Sequence, residues 1–163
     1  LINAPAIDVF ASTNPALGGL ILFRFLEEYC KQKPEGADFP LLYLPIPIVL
    51  SSDFSESFKG TNGKTGFMEW LNRSPQIAAI LPRRLHRTIA FSRQAVGFAI
   101  RHRILAVTRA GHLTHDRTGF AKPLKHLAND PIGDRLTRAR RFGAWCSGMP
   151  NTTMIFLSLG FTK

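Results

Sequence analysis

The chain is poor in the residues from which reactive centres are built. Only two of its 163 residues are Cys and five are His. Cys30 and Cys146 stand far apart, each in an apolar helical context, and read as buried, reduced thiols. His112 and His115 are spaced as zinc accepts, but zinc needs two further ligands and neither cysteine has metal-like spacing. There is no GxSxG, no HExxH and no close His/Cys/Asp set. From Leu71 onward the only carboxylates are Asp116, Asp130 and Asp134, too few for paired-acid hydrolysis or a two-metal centre. The expectation is a chain without catalytic residues, metal or cofactor. A run of about 18 apolar residues and a signal peptide are also lacking, so no membrane span is expected and a cytoplasmic location is. Trp and Tyr are scarce, two of each against 13 Phe, a mixture that suits a helical core.

One stretch imitates a motif. Lys59 to Gly66 reads KGTNGKTG, but Phe58 stands where GxxxxGK[ST] needs its first Gly, and no strand feeds the loop. It reads as a polar connection, continuous with the rest of Ser51 to Thr65.

What the chain does have is apolar bulk and unevenly placed charge. Apolar residues make up 45% of it, enough for a folded core, and the length fits a single domain over 1–163. The formal net charge is +10. Leu1 to Trp70 carries 5 Lys or Arg against 8 Asp or Glu; Leu71 to Lys163 carries 16 against 3. A surplus this concentrated fits phosphates of DNA or RNA, or the acidic face of another protein.

In chain order, Leu1 to Ser12 is a short strand or irregular arm. Asn14 caps a helix with Pro15 at its first position, running from Ala16 to Lys31. That helix is apolar almost all round, so it lies in a core or under a second protein. Gly18 and Gly19 allow close approach of a neighbour. Phe39 to Leu50 is a second apolar run with three prolines, read as one or two kinked helical turns or an exposed docking surface. Gly66 to Asn72 starts a short helix burying Phe67, Trp70 and Leu71. Ser74 caps a helix over Pro75 to Leu81; another follows over His86 to His102, its last part, from Arg93, capped by Ser92. Ile104 to Thr108 turns at Ala110-Gly111 into His112 to Asp116. Phe120 to Leu127 is mixed, and Asn129-Asp130-Pro131 breaks the chain. A helix then runs from about Ile132 to Ser147, with Leu136, Ala139, Phe142 or Gly143, Cys146 and Met149 on its apolar line. Asn151 or Thr152 caps a last short helix, Thr153 to Leu159.

Short helices feeding a hairpin are the skeleton of a winged helix. The expected fold is mainly α with a small β-hairpin wing, winged-helix-like α+β. An apolar N-terminal docking part occupies 1–50, a winged-helix-like module 66–120 and C-terminal helices 129–163. Arg83, Arg84, Arg87, Arg93, Arg101 and Arg103 of the module, with the stripe Arg135, Arg138 and Arg141, are the expected contacts to nucleic acid or an acidic partner. Only Gln94 is suited to reading a base edge, so structural contact fits better than sequence reading.

The order of these features resembles the middle component of three-component ABC systems, encoded in bacteria beside an ABC or SMC-like ATPase gene and a variable third gene. The resemblance rests on NPALGGLILFRF from Asn14 to Phe25, LLYLPIPIVL from Leu41 to Leu50 and FMEWL from Phe67 to Leu71 with Ser74-Pro75 after it. It continues in AVGFAIRHRILAVTRAGHL from Ala95 to Leu113, in Arg138 to Trp145 and in the tail from Thr152 to Gly160. It departs after Leu50, where Ser51, Ser52 and Asp53 stand in place of a His and an Arg. The resemblance implies a non-catalytic adaptor that joins the ATPase subunit to an effector subunit in anti-phage or anti-plasmid defence. Asn14, Pro15, Leu20, Phe23, Leu44, Ile46 and Trp70 are then the expected partner-binding residues. The alternative reading is a winged-helix DNA-binding transcriptional regulator.

Overall fold

The computed structural model describes residues 14–119 and 131–162. The expected N-terminal arm and the mixed stretch with its Asn-Asp breaker lie outside these residues. Described are mainly helices, with one two-stranded antiparallel sheet.

Helix α1, Pro15–Gln32, sits at the centre. Asn14 is extended, and its side-chain oxygen accepts the Ala16 N–H at 3.0 Å, while Pro15 fills the first turn where no N–H is needed. Leu17, Ile21, Leu22, Phe23, Phe25, Leu26 and Tyr29 are all buried. The nearly continuous apolar circumference is therefore met from within the chain, because other elements surround α1 on several sides.

Those elements follow in order. Phe39–Tyr43 is a 3-10 turn, and Pro45–Leu50 is helix α2, whose Pro45, Ile46, Pro47, Ile48 and Val49 are buried. The proline-rich run is thus kinked helical turns; from Leu41 to Val49 it belongs mainly to the core, while Phe39 at its start stays exposed. Ser51 to Thr65 differs from the polar connection expected. It contains helix α3, Ser52–Ser55, and a 3-10 turn, Glu56–Phe58, with Phe54 and Phe58 buried. Two aromatic rings on one side of a short helical path supply the burial that holds it.

Helix α4, Phe67–Arg73, buries Phe67, Trp70 and Leu71 as expected. Helix α5, Gln76–Arg101, is the principal correction. The two expected helices are one, 26 residues long, running through Pro82. Proline removes one i to i−4 bond, a cost of about 3 kcal/mol in a helix interior. Burial of Ile77, Leu81, Ala95, Val96 and Ala99 along a single face offsets it. Ser92 is consequently no cap: it lies in the helix interior, buried, with no partner for its hydroxyl among the described residues. Ser74 contributes its carbonyl, which accepts the Ile77 N–H at 3.1 Å, and Pro75 occupies the cap position.

Strands β1, Leu105–Val107, and β2, Leu113–His115, pair antiparallel with Ala106 opposite Thr114. Gly111, at φ 86°, makes the turn. The hairpin is anchored and does not project freely. Leu113 exchanges two 2.9 Å backbone hydrogen bonds with Ala37, and the His115 ring meets Phe23 edge-on at 5.8 Å.

Helix α6, Pro131–Ser147, lies along α1. Leu136, Ala139, Phe142, Cys146 and, just beyond it, Met149 are buried as the sequence predicts. Close approach is set by glycine on both sides of α1. A Cβ on Gly18 would stand 2.7 Å from the Ala95 side chain of α5, and one on Gly143 would stand 2.1 Å from the Phe25 carbonyl oxygen. Helix α7, Thr152–Ser158, is capped by Asn151, whose side chain accepts the Met154 N–H at 2.9 Å.

Trp70 and Trp145 join Phe58 and Phe142 in an aromatic cluster, with the two indoles 5.4 Å apart between ring centres. Both indole N–H groups are satisfied. Trp70 donates to the Ser57 hydroxyl at 3.0 Å, and Trp145 donates to the Asn62 carbonyl at 2.8 Å. The loop that imitates a phosphate site is thereby a brace for the core: Lys64 N–H and Asn62 N–H are turned inward to the Asn62 and Thr65 side chains at 2.8 and 2.9 Å.

Candidate partner-binding surface

The apolar candidates divide sharply by position. Phe23, Leu44, Ile46 and Trp70 are 2%, 0%, 1% and 0% exposed, so the chain uses them in its own core. Asn14, Pro15 and Leu20 keep partial exposure at the start of α1.

The basic candidates divide in the same way. On α6, Arg138 pairs with Asp134 and lies 5.9 Å from the centre of the Phe58 ring, its side chain only 18% exposed. Arg141 reaches the Phe58 carbonyl and the Thr61 hydroxyl, each at 3.4 Å. Arg140, which flanks the stripe, holds Glu28 of α1 at 2.9 Å. Arg135 is half-buried. The guanidinium groups of Arg138 and Arg141 are therefore engaged internally.

Helix α5 is different. It carries five Arg and no Asp or Glu. Arg84 turns aside to pair with Asp53 and lies 5.8 Å from the Phe54 ring centre. Arg93 donates through Nε to the Tyr43 hydroxyl at 3.2 Å, which fixes its direction while leaving it exposed. Arg83, Arg87 and Arg101 are exposed and make no ion pair among the described residues. At 1.5 Å per residue, Arg83 and Arg101 are about 27 Å apart along the axis. Arg103, just past the helix at φ 55°, is also exposed.

Between these cations the outward line of α5 is small. Ala79, Ala90 and Gly97 fall within about 20° of one another on a helical wheel. A Cβ at Gly97 would meet nothing within 4 Å. Arg87 and Gln94 stand on one flank, His86 and Arg93 on the other. Near the start of α1 the surface dips into a shallow groove of about 470 Å³, lined by Pro15, Arg93, Gln94, Gly97, Phe98 and Arg101. Sequence reasoning picked the arginines but not this partition. The spacing of Ala79, Ala90 and Gly97, eleven and then seven residues, carries the signal once α5 is read as continuous.

Burial raises the Cys146 thiol well above, and the Cys30 thiol above, the ordinary value, so neither is a poised nucleophile. Among the described residues no three His, Cys, Asp or Glu side chains come together as a metal requires. Nor is any described helix long and apolar enough to cross a membrane.

No curated protein and no solved structure matches the chain. A family model does, over residues 9–163, and it spans the central helix, the long basic helix and the C-terminal pair. The chain belongs to that family, the ABC-three component (ABC-3C) system Middle Component 3.

Proposed function

We propose that the chain is a non-catalytic adaptor subunit that links an ABC or SMC-like ATPase to an effector in a cytoplasmic anti-phage or anti-plasmid defence complex. Family membership carries this reading, since a middle component of a three-component system has other subunits to meet. ATP-driven movement in the ATPase pulls on this subunit, which holds or releases the effector and itself hydrolyses nothing. The exposed part of the N-terminal docking region, Asn14, Pro15 and Leu20, is one contact point. Phe23, Leu44, Ile46 and Trp70 act by holding the core that presents it.

The test is co-purification of the tagged chain with the products of its neighbouring genes at low and high salt. A complex with the ATPase that survives high salt is the expected result. A chain recovered alone under both conditions overturns it. That outcome leaves the second reading, a winged-helix DNA-binding regulator, which one observation favours: α5 leads directly into an antiparallel hairpin. The regulator predicts a homodimer that binds a defined DNA sequence.

A further inference from the structure

We propose that the outer face of α5 is a sequence-independent binding site for duplex DNA, seated in the major groove between the two phosphate strands. The inference goes beyond the adaptor reading and does not depend on it, because it rests on the face alone.

Three observations carry it. First, the charge on the face is of one sign. Arg83, Arg87, Arg93 and Arg101 are exposed over about 27 Å of helix, and no carboxylate stands on α5. Soluble protein surfaces normally intersperse both signs. An unbroken cationic face is complementary to a uniformly charged polymer, and the Arg fork matches phosphate oxygens bidentately.

Second, the cations flank a low centre. Arg83, Arg87 and Arg101 stand on one side of the Ala79–Ala90–Gly97 line and Arg93 on the other. A helix in a groove meets phosphates on both flanks and the base edges at its centre. Small residues there let the backbone approach, and the B-form major groove, about 12 Å wide, admits an α-helix. The line presents no base-reading side chain, and Gln94 on the flank is the only amide nearby. Binding is therefore to backbone and groove shape, not to sequence.

Third, the face lacks what a protein partner would grip. Stable protein interfaces deplete charge at the centre and are anchored by large apolar or aromatic side chains. The exposed large apolar residues Phe39, Met68, Val107, Met154 and Leu157 lie on other elements, and only Ile100, 36% exposed, is on α5.

Fluorescence anisotropy of the purified full chain with a labelled random-sequence duplex about 20 base pairs long tests this. Binding in the micromolar range is expected, weakening with salt with a log–log slope of about −4 for some four phosphates neutralised. The variant R83E/R87E/R101E is expected to lose at least tenfold in affinity and most of that slope. The control K59E/K64E/R73E makes the same change of net charge on the loop and helix before α5 and is expected to keep at least half the affinity. Thermal unfolding of both variants reports whether the fold is intact. No binding by the unsubstituted chain at low salt overturns the proposal, as does equal loss in both variants. So does equal affinity for duplex RNA, whose major groove is too narrow for a helix. If R83E/R87E/R101E retains DNA but no longer co-purifies with the ATPase, the face is a protein dock and the proposal fails while the adaptor reading stands. Loss of DNA with the ATPase retained confirms the site. DNA binding by a chain that never captures an ATPase overturns the adaptor reading alone.

Discussion

Gly143 of α6 faces the carbonyl oxygen of Phe25 in α1 so closely that a Cβ at that position would stand 2.1 Å from it. The oxygen belongs to backbone and cannot swing away. Gly143→Ala therefore separates the two helices, with an expected loss of about 3 kcal/mol. Gly97 is the counter-case: it is helical and has nothing within 4 Å of its missing Cβ. Gly97→Ala is expected to stabilise by about 0.5–1 kcal/mol through helix propensity alone. Urea denaturation of the two variants side by side checks the opposite signs.

Trp70 is fully buried, and its indole N–H has one acceptor, the Ser57 hydroxyl at 3.0 Å. Ser57→Ala strands that donor. The expected cost is about 1–3 kcal/mol, the penalty of an unsatisfied buried polar group. Ser55→Ala removes a comparable but exposed hydroxyl and is expected to stay within about 0.5 kcal/mol of the unsubstituted chain. Equal losses in the two would show that the indole bond contributes nothing.

Ser92 gives the opposite expectation. Its hydroxyl is buried inside α5 without a partner among the described residues. Ser92→Ala removes a desolvated group and adds the best helix former, so the variant is expected to be more stable by about 1 kcal/mol. A destabilised Ser92→Ala would reveal a partner for that oxygen.

Burial pushes the Glu28 carboxyl up, but hydrogen bonds and charge from Lys31 and Arg140 outweigh it and hold the carboxyl below its ordinary 4.5. A carboxylate with a lowered folded-state pKa contributes stability that is complete above the unfolded value and fades as pH falls through the folded one. Arg140→Ala is expected to weaken the chain at neutral pH and to shrink that acid-side loss. Melting temperatures between pH 7 and pH 3 measure both.

At the alkaline end the relevant group is Tyr29. Burial first, then the nearby acidic groups Cys146, Asp38, Glu35 and Cys30, push its phenol up to about 12. A raised folded-state pKa means full stability below the unfolded value of 10.0 and progressive loss as pH climbs from there towards the folded one. Tyr29→Phe is expected to flatten the fall in melting temperature above pH 10. An unchanged fall in that variant would assign it to other groups.

Much of the fold is written in local signals. Asn14-Pro15 announces the start of α1, Gly111 the hairpin turn, and Leu136, Ala139, Phe142 and Cys146 the buried line of α6, because caps, positive φ and periodicity act within a few residues. Pro82 misled the reading, since a breaker is a local penalty and the compensation comes from burial on a distant helix. The phase of Ile77 and Leu81 continues unshifted into Ala95, Val96 and Ala99, and that continuity was the available clue. Phe54 and Phe58 hid in a polar stretch for the same reason: their partners, Arg84 and Trp145, come from far along the chain. The candidate surface was legible as a list of arginines but not as a face. Asp134, four residues before Arg138 on one helix, is a local sign of their pairing, but nothing near Arg141 announces that it braces the Phe58–Thr61 turn, and Arg83, Arg87 and Arg101 are left over only once the helices are placed.

The central helix comes early in the sequence and the helix that covers it comes late. Glu28 and the Arg140 that clasps it are 112 residues apart. On a ribosome adding about 5–20 residues per second, that interval is on the order of ten seconds. Throughout it, Phe25 and Tyr29 of the nascent chain wait without Phe142 and Cys146 to cover them. Closure of the core is thus deferred until α6 has been made, and during that delay a chaperone or a partner subunit has its longest opportunity to bind α1 before α6 does.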